Sequence, residues 1–214
     1  MSKGPAVLDE VVLREKQKYE KIWKKGLYRI TSPGNLLVPA FLAQIKVRLG
    51  ASDSLIDFGC GTGRASIPFL DKGLKVTLVD IAENCLDEKI EVFSHLCPER
   101  LSFVQAPIWD LPPHIPVSDW IYCIDVLEHL PVERVIPSLK AMAQKTRKGG
   151  ALQVFLSDEE MGEVIGETLH LTIRPLDWWL KQISLFWDVE KVEEMIPQIR
   201  YCIYVGPPKY SKVP

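Results

Sequence analysis

The chain has 214 residues, 47% of them hydrophobic and 25% charged, which is enough apolar material for one globular domain. This composition excludes a disordered chain, and five scattered cysteines without a C-x-x-C pair exclude a zinc knuckle and a disulfide-stapled miniprotein. The net charge of −2 gives the chain as a whole no strongly basic, nucleic-acid-binding character. No apolar run could span a bilayer, and residues 1–4 lack an apolar signal core, so we expect a soluble cytoplasmic protein without membrane association.

Residues 1–50 differ in charge from the rest of the chain. They carry ten basic and four acidic side chains, whereas residues 51–214 carry 16 basic and 24 acidic ones. Helical spacing of apolar residues predicts one helix over residues 8–25, ended by Gly26, and a second over residues 36–49. We therefore divide the chain into an N-terminal helical segment, 1–50, and one compact unit, 51–214.

Short apolar runs alternate with helix-length stretches from residue 54 onward. Most of these runs are continuously apolar, which is typical of strands buried on both faces of a parallel sheet. The stretch 131–148 predicts an amphipathic helix that starts with proline and ends at Gly149 and Gly150. The alternation predicts a doubly wound α/β fold. The predicted strands are Ser54–Phe58, Lys75–Asp80, 101–106, 119–125 and 151–157.

The last third of the chain has a different pattern. Residues 175–183 predict a short helix, on which Trp178 and Trp179 point about 100° apart, so at least one of them belongs to the core. Two further strands, 185–190 and 199–205, have no clear crossover helix between them, which favours an antiparallel pair at the sheet edge. We expect a mostly parallel seven-stranded sheet with an antiparallel terminal hairpin.

The stretch from Leu55 to Arg64, LIDFGCGTGR, joins a buried strand to a helix through three glycines. Glycines here let the backbone approach a ligand at the carboxyl end of the first strand, where open α/β sheets bind their ligands. Arg64 stands where the dinucleotide-binding motif has its third glycine, and no Gly-Lys-Ser/Thr follows as in a P-loop. The loop therefore matches neither of these two motifs.

Asp80 ends the second predicted strand, 21 residues after Gly59. An acid at this point of a nucleotide-binding fold accepts hydrogen bonds from both ribose hydroxyls. Taken alone, Asp80 could equally cap the following helix. Together with the glycine loop, it indicates an adenosyl cofactor.

Three motifs follow the first, second and fourth predicted strands. They are Asp57-x-Gly59-x-Gly61-x-Gly63, Asp80, and Asp125-Val-Leu-Glu-His-Leu-Pro131. In this order they resemble the class I S-adenosylmethionine-dependent methyltransferases, a broad group that modifies small molecules and polymers. The resemblance covers about residues 54–157 and implies a Rossmann-like fold, S-adenosylmethionine as cofactor and S-adenosylhomocysteine as product.

The resemblance also implies cofactor contacts. The glycine-loop backbone would pass under the methionine part, Asp80 would hold the ribose and Ile81 would pack on the adenine. Family members often have Gly-Asp-Ala after the third strand, whereas this chain has Ala-Pro-Ile. A backbone amide at Ile108 or Trp109, or the side chain of Asp110, would then contact the adenine, and the Trp109 ring would cover it or simply pack in its loop. The implied cofactor-binding residues are Arg29, Asp57, Gly59, Cys60, Gly61, Asp80, Ile81, Ile108, Trp109 and Asp125.

Methyl transfer to a hydroxyl or ammonium group also requires a base. His129 follows the fourth strand, and His170 follows the fifth, where family members place substrate-facing segments. Each histidine has a structural alternative, because His129 could cap the next helix and His170 could pack between two leucines. We name His170 and His129 as candidate catalytic residues, and assign no role to His95 or His114.

Asp125, Glu128, His129 and His170 also resemble the metal-binding set of small-RNA 2′-O-methyltransferases and quinone-precursor O-methyltransferases. The string Leu-Glu-His-Leu-Pro is, however, common in metal-free members. The first acid of the metal-binding set is normally glutamate, whereas Asp125 is shorter. We therefore predict that the site binds no metal.

Seven Lys or Arg residues and two Glu residues lie between Arg14 and Arg29, with Tyr19, Trp23 and Tyr28 among them. This pattern fits a nucleic-acid contact or, more simply, a solvated helix face whose apolar side meets the core. A third interpretation follows from the resemblance. The helices before the glycine loop would form a lid, and Arg29 would meet the methionine carboxylate of the cofactor.

These features predict an enzyme that transfers a methyl group from S-adenosylmethionine to a hydroxyl or amine of a small metabolite or sugar. The acceptor would lie between the lid and the loops after the fourth and fifth strands, with residues 157–172 and the Trp178-Trp179 pair shaping its pocket. One alternative is methylation of RNA or another nucleic acid, suggested by the basic N-terminal segment alone. The other is a non-catalytic adenosyl-binding scaffold.

Overall fold

The computed structural model describes residues 9–32 and 34–209. Its strands are β1 (Ser54–Phe58), β2 (Lys75–Asp80), β3 (Leu101–Gln105), β4 (Ser118–Cys123), β5 (Thr146–Phe155), β6 (Trp187–Ile196) and β7 (Arg200–Pro208). They form one sheet in the order β3-β2-β1-β4-β5-β7-β6. The first five strands are parallel, and β7 pairs antiparallel with both β5 and β6. The predicted seven-stranded α/β sheet with its antiparallel terminal hairpin is confirmed.

Helices cover both faces of this sheet. They are α1 (Glu10–Ile22), α2 (Gly26–Thr31), α3 (Val38–Ile45), α4 (Ser66–Asp71), α5 (Glu88–Leu96), α6 (Val132–Gln144) and α7 (Leu176–Ile183), with 3-10 turns at Gly34–Leu37, Leu127–His129 and Met161–Ile165. One buried cluster joins α3, α4 and α5 to Leu55, and the other joins α6 and α7 to Ile56. Neighbouring residues of β1 thus enter opposite core layers, which explains the continuous apolar run. No helix in the described part of the chain is long and apolar enough to cross a membrane.

The N-terminal helices are shorter than predicted. Asp9 caps α1 by accepting a hydrogen bond from the Val11 backbone N–H at 3.0 Å, and residue 8 lies outside the described residues. The prediction that Gly26 ends this helix is wrong, because α1 ends at Ile22 and Gly26 begins α2. The chain turns between the two helices where the Trp23 ring packs edge-on against Tyr28, with ring centroids 4.7 Å apart.

The start of β5 also differs from the prediction. Gly149 and Gly150 lie inside this strand and do not end the preceding helix. A Cβ atom at Gly149 would lie 2.1 Å from the carbonyl oxygen of Val205, and one at Gly150 would lie 2.2 Å from that of Ile121. These glycines are therefore required for the close approach of β7 and β4 to β5.

The two tryptophans of α7 behave as their spacing predicts. Trp179 is fully buried in the second core cluster, and Trp178 packs on that cluster while partly exposed. Neither side chain lines the cavities described below. The expectation that this pair shapes the pocket is therefore wrong, because α7 packs on the sheet face beside α6.

Candidate active site

The glycine loop follows β1 and has a backbone that only glycine adopts easily. Gly59 and Gly61 have φ values of +67° and +50°. A Cβ atom at Gly59 would lie 2.3 Å from a methyl group of Val126, and one at Gly61 would lie 2.8 Å from the Trp23 ring. The backbone N–H groups of Gly59 and Cys60 both donate to the carbonyl oxygen of Val79, which fixes the loop against β2. The glycines thus hold bare backbone at the carboxyl edge of the sheet.

Asp80 ends β2 directly beside this loop. Its Oδ2 accepts a hydrogen bond from the Gly61 N–H at 3.0 Å, and its Oδ1 accepts one from the Ala82 N–H at 2.9 Å. Burial raises the pKa of Asp80 to about 6, against the opposing effect of these N–H donors. Each carboxylate oxygen keeps a further lone pair for a ligand hydroxyl.

Two adjoining cavities open at this edge of the sheet. The larger cavity, of about 530 Å³, extends from the glycine loop to Phe155 at the end of β5 and Arg200 at the start of β7. The smaller cavity, of about 80 Å³, lies beside Asp80. Small-molecule sites commonly measure about 300–1,000 Å³. Nine of the ten implied cofactor-binding residues line one or both cavities, namely Asp57, Gly59, Cys60, Gly61, Asp80, Ile81, Ile108, Trp109 and Asp125.

Two further carboxyl groups at these cavities are buried and incompletely paired. Oδ2 of Asp57 and Oδ1 of Asp125 have no hydrogen-bond partner among the described residues. Burial raises the pKa of both groups, helped at Asp57 by the charge of Asp80 and opposed at Asp125 by Arg200 and His170. Asp125 also adopts a φ of +54°, which is strained for a residue other than glycine and turns the chain sharply after β4.

His170 is held in one tautomer. Its Nδ1 lies 2.6 Å from the backbone carbonyl oxygen of Ser157. A carbonyl oxygen can only accept, so Nδ1 carries the proton and Nε2 keeps its lone pair. The ring packs against Phe155 and His129 and lines the larger cavity. This arrangement can supply a base to a bound acceptor.

His129 contacts the N-terminal helix α1. Its Nδ1 lies 2.8 Å from the hydroxyl of Tyr19 in α1, and its ring also bonds to the backbone of Leu169. Burial, with the nearby His170 and Lys18, lowers the pKa of His129 well below its usual value, so the ring is neutral near pH 7. These contacts connect α1 to the segment 157–172 through His129, which lines both cavities.

Glu128, His129 and His170 form a compact group, with one potential ligand atom of each lying within 4.8 Å of the others. Glu128 is fully buried; its Oε1 accepts a hydrogen bond from the Phe155 N–H at 3.1 Å, and its Oε2 has no partner among the described residues. Burial and the neighbouring Asp125 raise the pKa of Glu128 well above its usual value. Metal-free function stays a prediction.

Arg29 is the one implied cofactor residue that lines neither cavity. Its guanidinium contacts Asp87 at 3.1 Å and donates to the backbone carbonyl oxygens of Asn84, Leu86 and Trp23. Arg64 binds the other oxygen of Asp87 at 2.6 Å. These contacts fasten α2 to the loop after β2, and the contact of Arg29 with the methionine carboxylate stays a prediction.

Asp110, the alternative adenine contact, lines neither cavity. His95 and His114, to which no role was assigned, also line neither of them. In the predicted pocket-forming stretch 157–172, four side chains face the larger cavity: Glu159, Met161, Leu169 and His170.

Sequence reasoning did not assign Tyr19, Phe155 or Arg200 to the site. Tyr19 meets His129 from 110 positions away. Arg200 reaches the site because the first residue of β7 pairs with Phe155 at the end of β5. The helical spacing of Tyr19 and Trp23 indicates a buried face, but only the sheet order reveals that Arg200 belongs there.

Comparisons with known proteins agree with this geometry. Residues 56–152 match the family described as "Methyltransferase domain". The curated ubiquinone biosynthesis O-methyltransferase of Idiomarina loihiensis is 31% identical over 104 residues, which are 48% of this chain and 41% of that protein. The aligned region thus spans less than half the length of this relative.

Two solved structures share the fold over nearly the whole chain. Magnesium protoporphyrin IX methyltransferase from Synechocystis PCC 6803, with bound S-adenosylhomocysteine, is 17% identical with a TM-score of 0.66, covering 92% of this chain and 99% of that one. The 1,6-didemethyltoxoflavin-N1-methyltransferase of Burkholderia thailandensis is 16% identical with a TM-score of 0.69, covering 97% and 93%. Residues 56–152 thus belong to a methyltransferase domain, and the chain has the class I Rossmann-like fold of the S-adenosylmethionine-dependent methyltransferases.

Proposed function

We propose that this protein transfers the methyl group of S-adenosylmethionine to a hydroxyl or amine of a small metabolite or sugar. The main support is that the two adjoining cavities form one site. The glycine loop and Asp80 lie at one end of it, and His170, whose Nδ1 is bonded to Ser157, lies at the other. The named relatives act on small molecules, a ubiquinone precursor, a porphyrin and a toxoflavin precursor, which supports this acceptor class.

The residues present fit the cofactor. At Gly59 and Gly61 a Cβ atom would collide with Val126 or Trp23, so only glycine keeps this loop backbone at the cavity wall. The buried Asp57 and Asp125 each have a carboxyl oxygen without a partner among the described residues. Asp80 would accept hydrogen bonds from the ribose hydroxyls. When bound, S-adenosylmethionine supplies an electrophilic methyl group on a sulfonium.

The protein's own chemical contribution is to take up a proton and to exclude water. His170 Nε2 would accept the proton from the acceptor hydroxyl, and the Ser157 carbonyl bonded to Nδ1–H keeps the ring oriented for it. Asp125 lies close enough to interact with His170, and its ionised form would stabilise the imidazolium. An acceptor that is already a neutral amine would need no base, and the protein would only have to hold it in line with the methyl group.

The segment 1–50 would act as a lid on the compact unit 51–214. Trp23 and Tyr28 line both cavities, and the Lys21 Nζ donates to the backbone carbonyl oxygen of Ile165 at 2.6 Å. These contacts close the site from the N-terminal side, which would keep the reacting groups dry.

Methylation of a nucleic acid is less favoured by the described contacts. Lys16 pairs with Glu20, Lys18 with Glu15 and Arg29 with Asp87, and Lys21 donates to Ile165. Four of the seven basic residues between positions 14 and 29 are thus engaged within the protein. Phosphate binding needs accessible cations. RNA remains an outcome of the experiment below.

The test is a transfer screen with tritiated-methyl S-adenosylmethionine over a cell extract separated into small molecules, RNA and protein. We expect label in the small-molecule fraction with the wild-type protein and none with the Asp80→Ala variant, whose ribose contact is lost. Label in RNA instead would support the nucleic-acid alternative. Isothermal titration calorimetry with S-adenosylhomocysteine accompanies the screen, and absence of binding would favour the scaffold.

A further inference from the structure

Arg200 lies beside the proposed base, in the acceptor end of the larger cavity. It is the first residue of β7 and pairs in register with Phe155, the last residue of β5. Its guanidinium carbon lies 4.8 Å from the centre of the Phe155 ring, and the same ring lies 5.3 Å from that of His170. Phe155 thus separates the cationic group from the imidazole while contacting both.

The guanidinium has hydrogen-bonding capacity that the protein leaves unused. Nε of Arg200 is buried without a partner, and no side-chain hydrogen bond of the described residues involves the guanidinium. Its ion pair with Asp125 has an Nη2–Oδ2 distance of 3.4 Å, which is longer than a charge-assisted hydrogen bond. A buried donor without a partner is costly, so a ligand acceptor group would stabilise this arrangement.

The charges around Arg200 limit the kind of anion that fits. Among the described residues that line the larger cavity, it is the only Lys or Arg, whereas Asp57, Asp125 and Glu159 also face the cavity. Both oxygens of Glu159 are occupied by the backbone N–H groups of Gly162 and Leu169. Three carboxyl groups in the same cavity disfavour a dianionic phosphate, while a planar monoanionic carboxylate matches the guanidinium fork.

We propose that the methyl acceptor carries a carboxylate that Arg200 binds, so that its hydroxyl or amine is presented to His170. The inference rests on the proposed function, because His170 marks the part of the cavity in which the methyl transfer would take place. Phe155, Met161 and Leu169 surround the two polar groups with apolar surface, which suits an acceptor whose remaining atoms are apolar or aromatic. Arg200 is thus a specificity-determining residue.

Calorimetry with matched probes tests this assignment on the full chain saturated with S-adenosylhomocysteine. The probes are 3-hydroxybenzoate, 3-hydroxybenzamide and 3-hydroxyphenyl phosphate, which share a ring and a hydroxyl. We expect the carboxylate to bind at least about tenfold more tightly than the amide, and more tightly than the phosphate. In Arg200→Gln this preference for the carboxylate disappears, and in Arg200→Lys part of it returns.

Arg48→Gln is the matched control, because Arg48 pairs with Glu190 away from both cavities, and it should keep the wild-type preference. Equal binding of carboxylate and amide to the wild type, or an unchanged preference in Arg200→Gln, would overturn the proposal. Loss of S-adenosylhomocysteine affinity in Arg200→Gln would also overturn it, since Arg200 would then hold the cofactor. Failure of the wild type to bind S-adenosylhomocysteine would instead refute the proposed function.

Discussion

Six of the 13 buried side-chain polar atoms without a hydrogen-bond partner, counted over the described residues, belong to residues that line the two cavities. They include the ring nitrogens of Trp23 and Trp109, carboxyl oxygens of Asp57 and Asp125, and Nε of Arg200. Most buried polar atoms in folded proteins are hydrogen-bonded, because an unpartnered one costs about 1–3 kcal/mol. A bound ligand would supply hydrogen-bond partners for these atoms. The residues that lower the stability of the ligand-free protein would therefore also contribute to ligand affinity.

Asp80 gives the cofactor affinity a pH dependence. Its pKa of about 6 means that the carboxyl group is protonated below pH 6, when it loses acceptor capacity for ribose hydroxyls. Binding favours the ionised form, so the affinity for S-adenosylhomocysteine should fall about tenfold from pH 7 to pH 5 and stay level above pH 7. Calorimetry at a series of pH values measures this.

The Asp80→Asn variant is the control for that series. The side-chain amide of this variant does not titrate. The variant should therefore bind S-adenosylhomocysteine more weakly than wild type, with an affinity that does not change over the same pH range. A wild-type affinity that is equally flat would contradict the role given to the carboxylate.

Glu128 provides a test of the predicted metal-free site. Glu128→Gln preserves the shape of this side chain and retains an oxygen for the Phe155 N–H. Because the site is predicted to bind no metal, we expect methyl transfer within about twofold of wild type, both in this variant and in wild-type protein treated with EDTA. Activity that EDTA abolishes and Mn²⁺ restores would show that the Glu128–His129–His170 group holds a cation.

At single positions, sequence reasoning could place a side chain beside the cavities where its motif lies at the end of a strand. Asp80 and Gly59 line the site because parallel strands bring their carboxyl ends to one edge. Tyr19, Phe155 and Arg200 could not be placed in this way, because their neighbours in space are distant in sequence. Arg29 was placed at the cofactor by resemblance, whereas Asp87 holds it on the neighbouring loop.

At the scale of elements, β1 and β2 occupy the predicted residues because both are continuous buried runs. The start of β5 was missed because two glycines after a basic stretch are also typical of a helix end. In this chain Gly149 and Gly150 serve strand pairing, which depends on how closely β4 and β7 approach. Local sequence contains no information on that distance.

Gly150→Ala tests this explanation of the β5 glycines. The added methyl group would meet the Ile121 carbonyl oxygen at 2.2 Å, a backbone atom that cannot move alone. We expect the free energy of unfolding to fall by at least about 1–3 kcal/mol, as measured by chemical denaturation. Gly26→Ala should change it little, because a Cβ atom there meets nothing within 4 Å, and equal effects of the two substitutions would refute the explanation.

The lid helices and the loop after β2 are joined through Asp87, which binds Arg29 and Arg64 together. Arg29→Ala removes one ion pair and the hydrogen bonds to three carbonyl oxygens, so closure of the lid becomes less favourable. Affinity for S-adenosylhomocysteine should fall by about tenfold. Arg100→Ala, which removes an exposed contact with Leu70, is the matched control and should bind normally. An unchanged affinity in Arg29→Ala would count against the lid.

For the whole molecule, the uneven charge of the sequence has a structural counterpart. The basic N-terminal segment forms ion pairs with the acidic remainder through Arg29–Asp87 and Arg48–Glu190. Surface pairs of this kind contribute little individually, about 0–1 kcal/mol. Their arrangement nevertheless places the lid beside the cavities, and the net charge of the chain alone would not have indicated this.

The central claim is that His170 is the base of a methyl transfer. Its most direct test is the rate of tritiated-methyl transfer to the acceptor fraction by wild type and by His170→Gln, both saturated with cofactor. The account predicts a rate about 10²–10⁴-fold lower in His170→Gln with unchanged S-adenosylhomocysteine affinity, and a normal rate in His95→Gln, which lies outside both cavities. A His170→Gln variant that transfers methyl groups at the wild-type rate would contradict it.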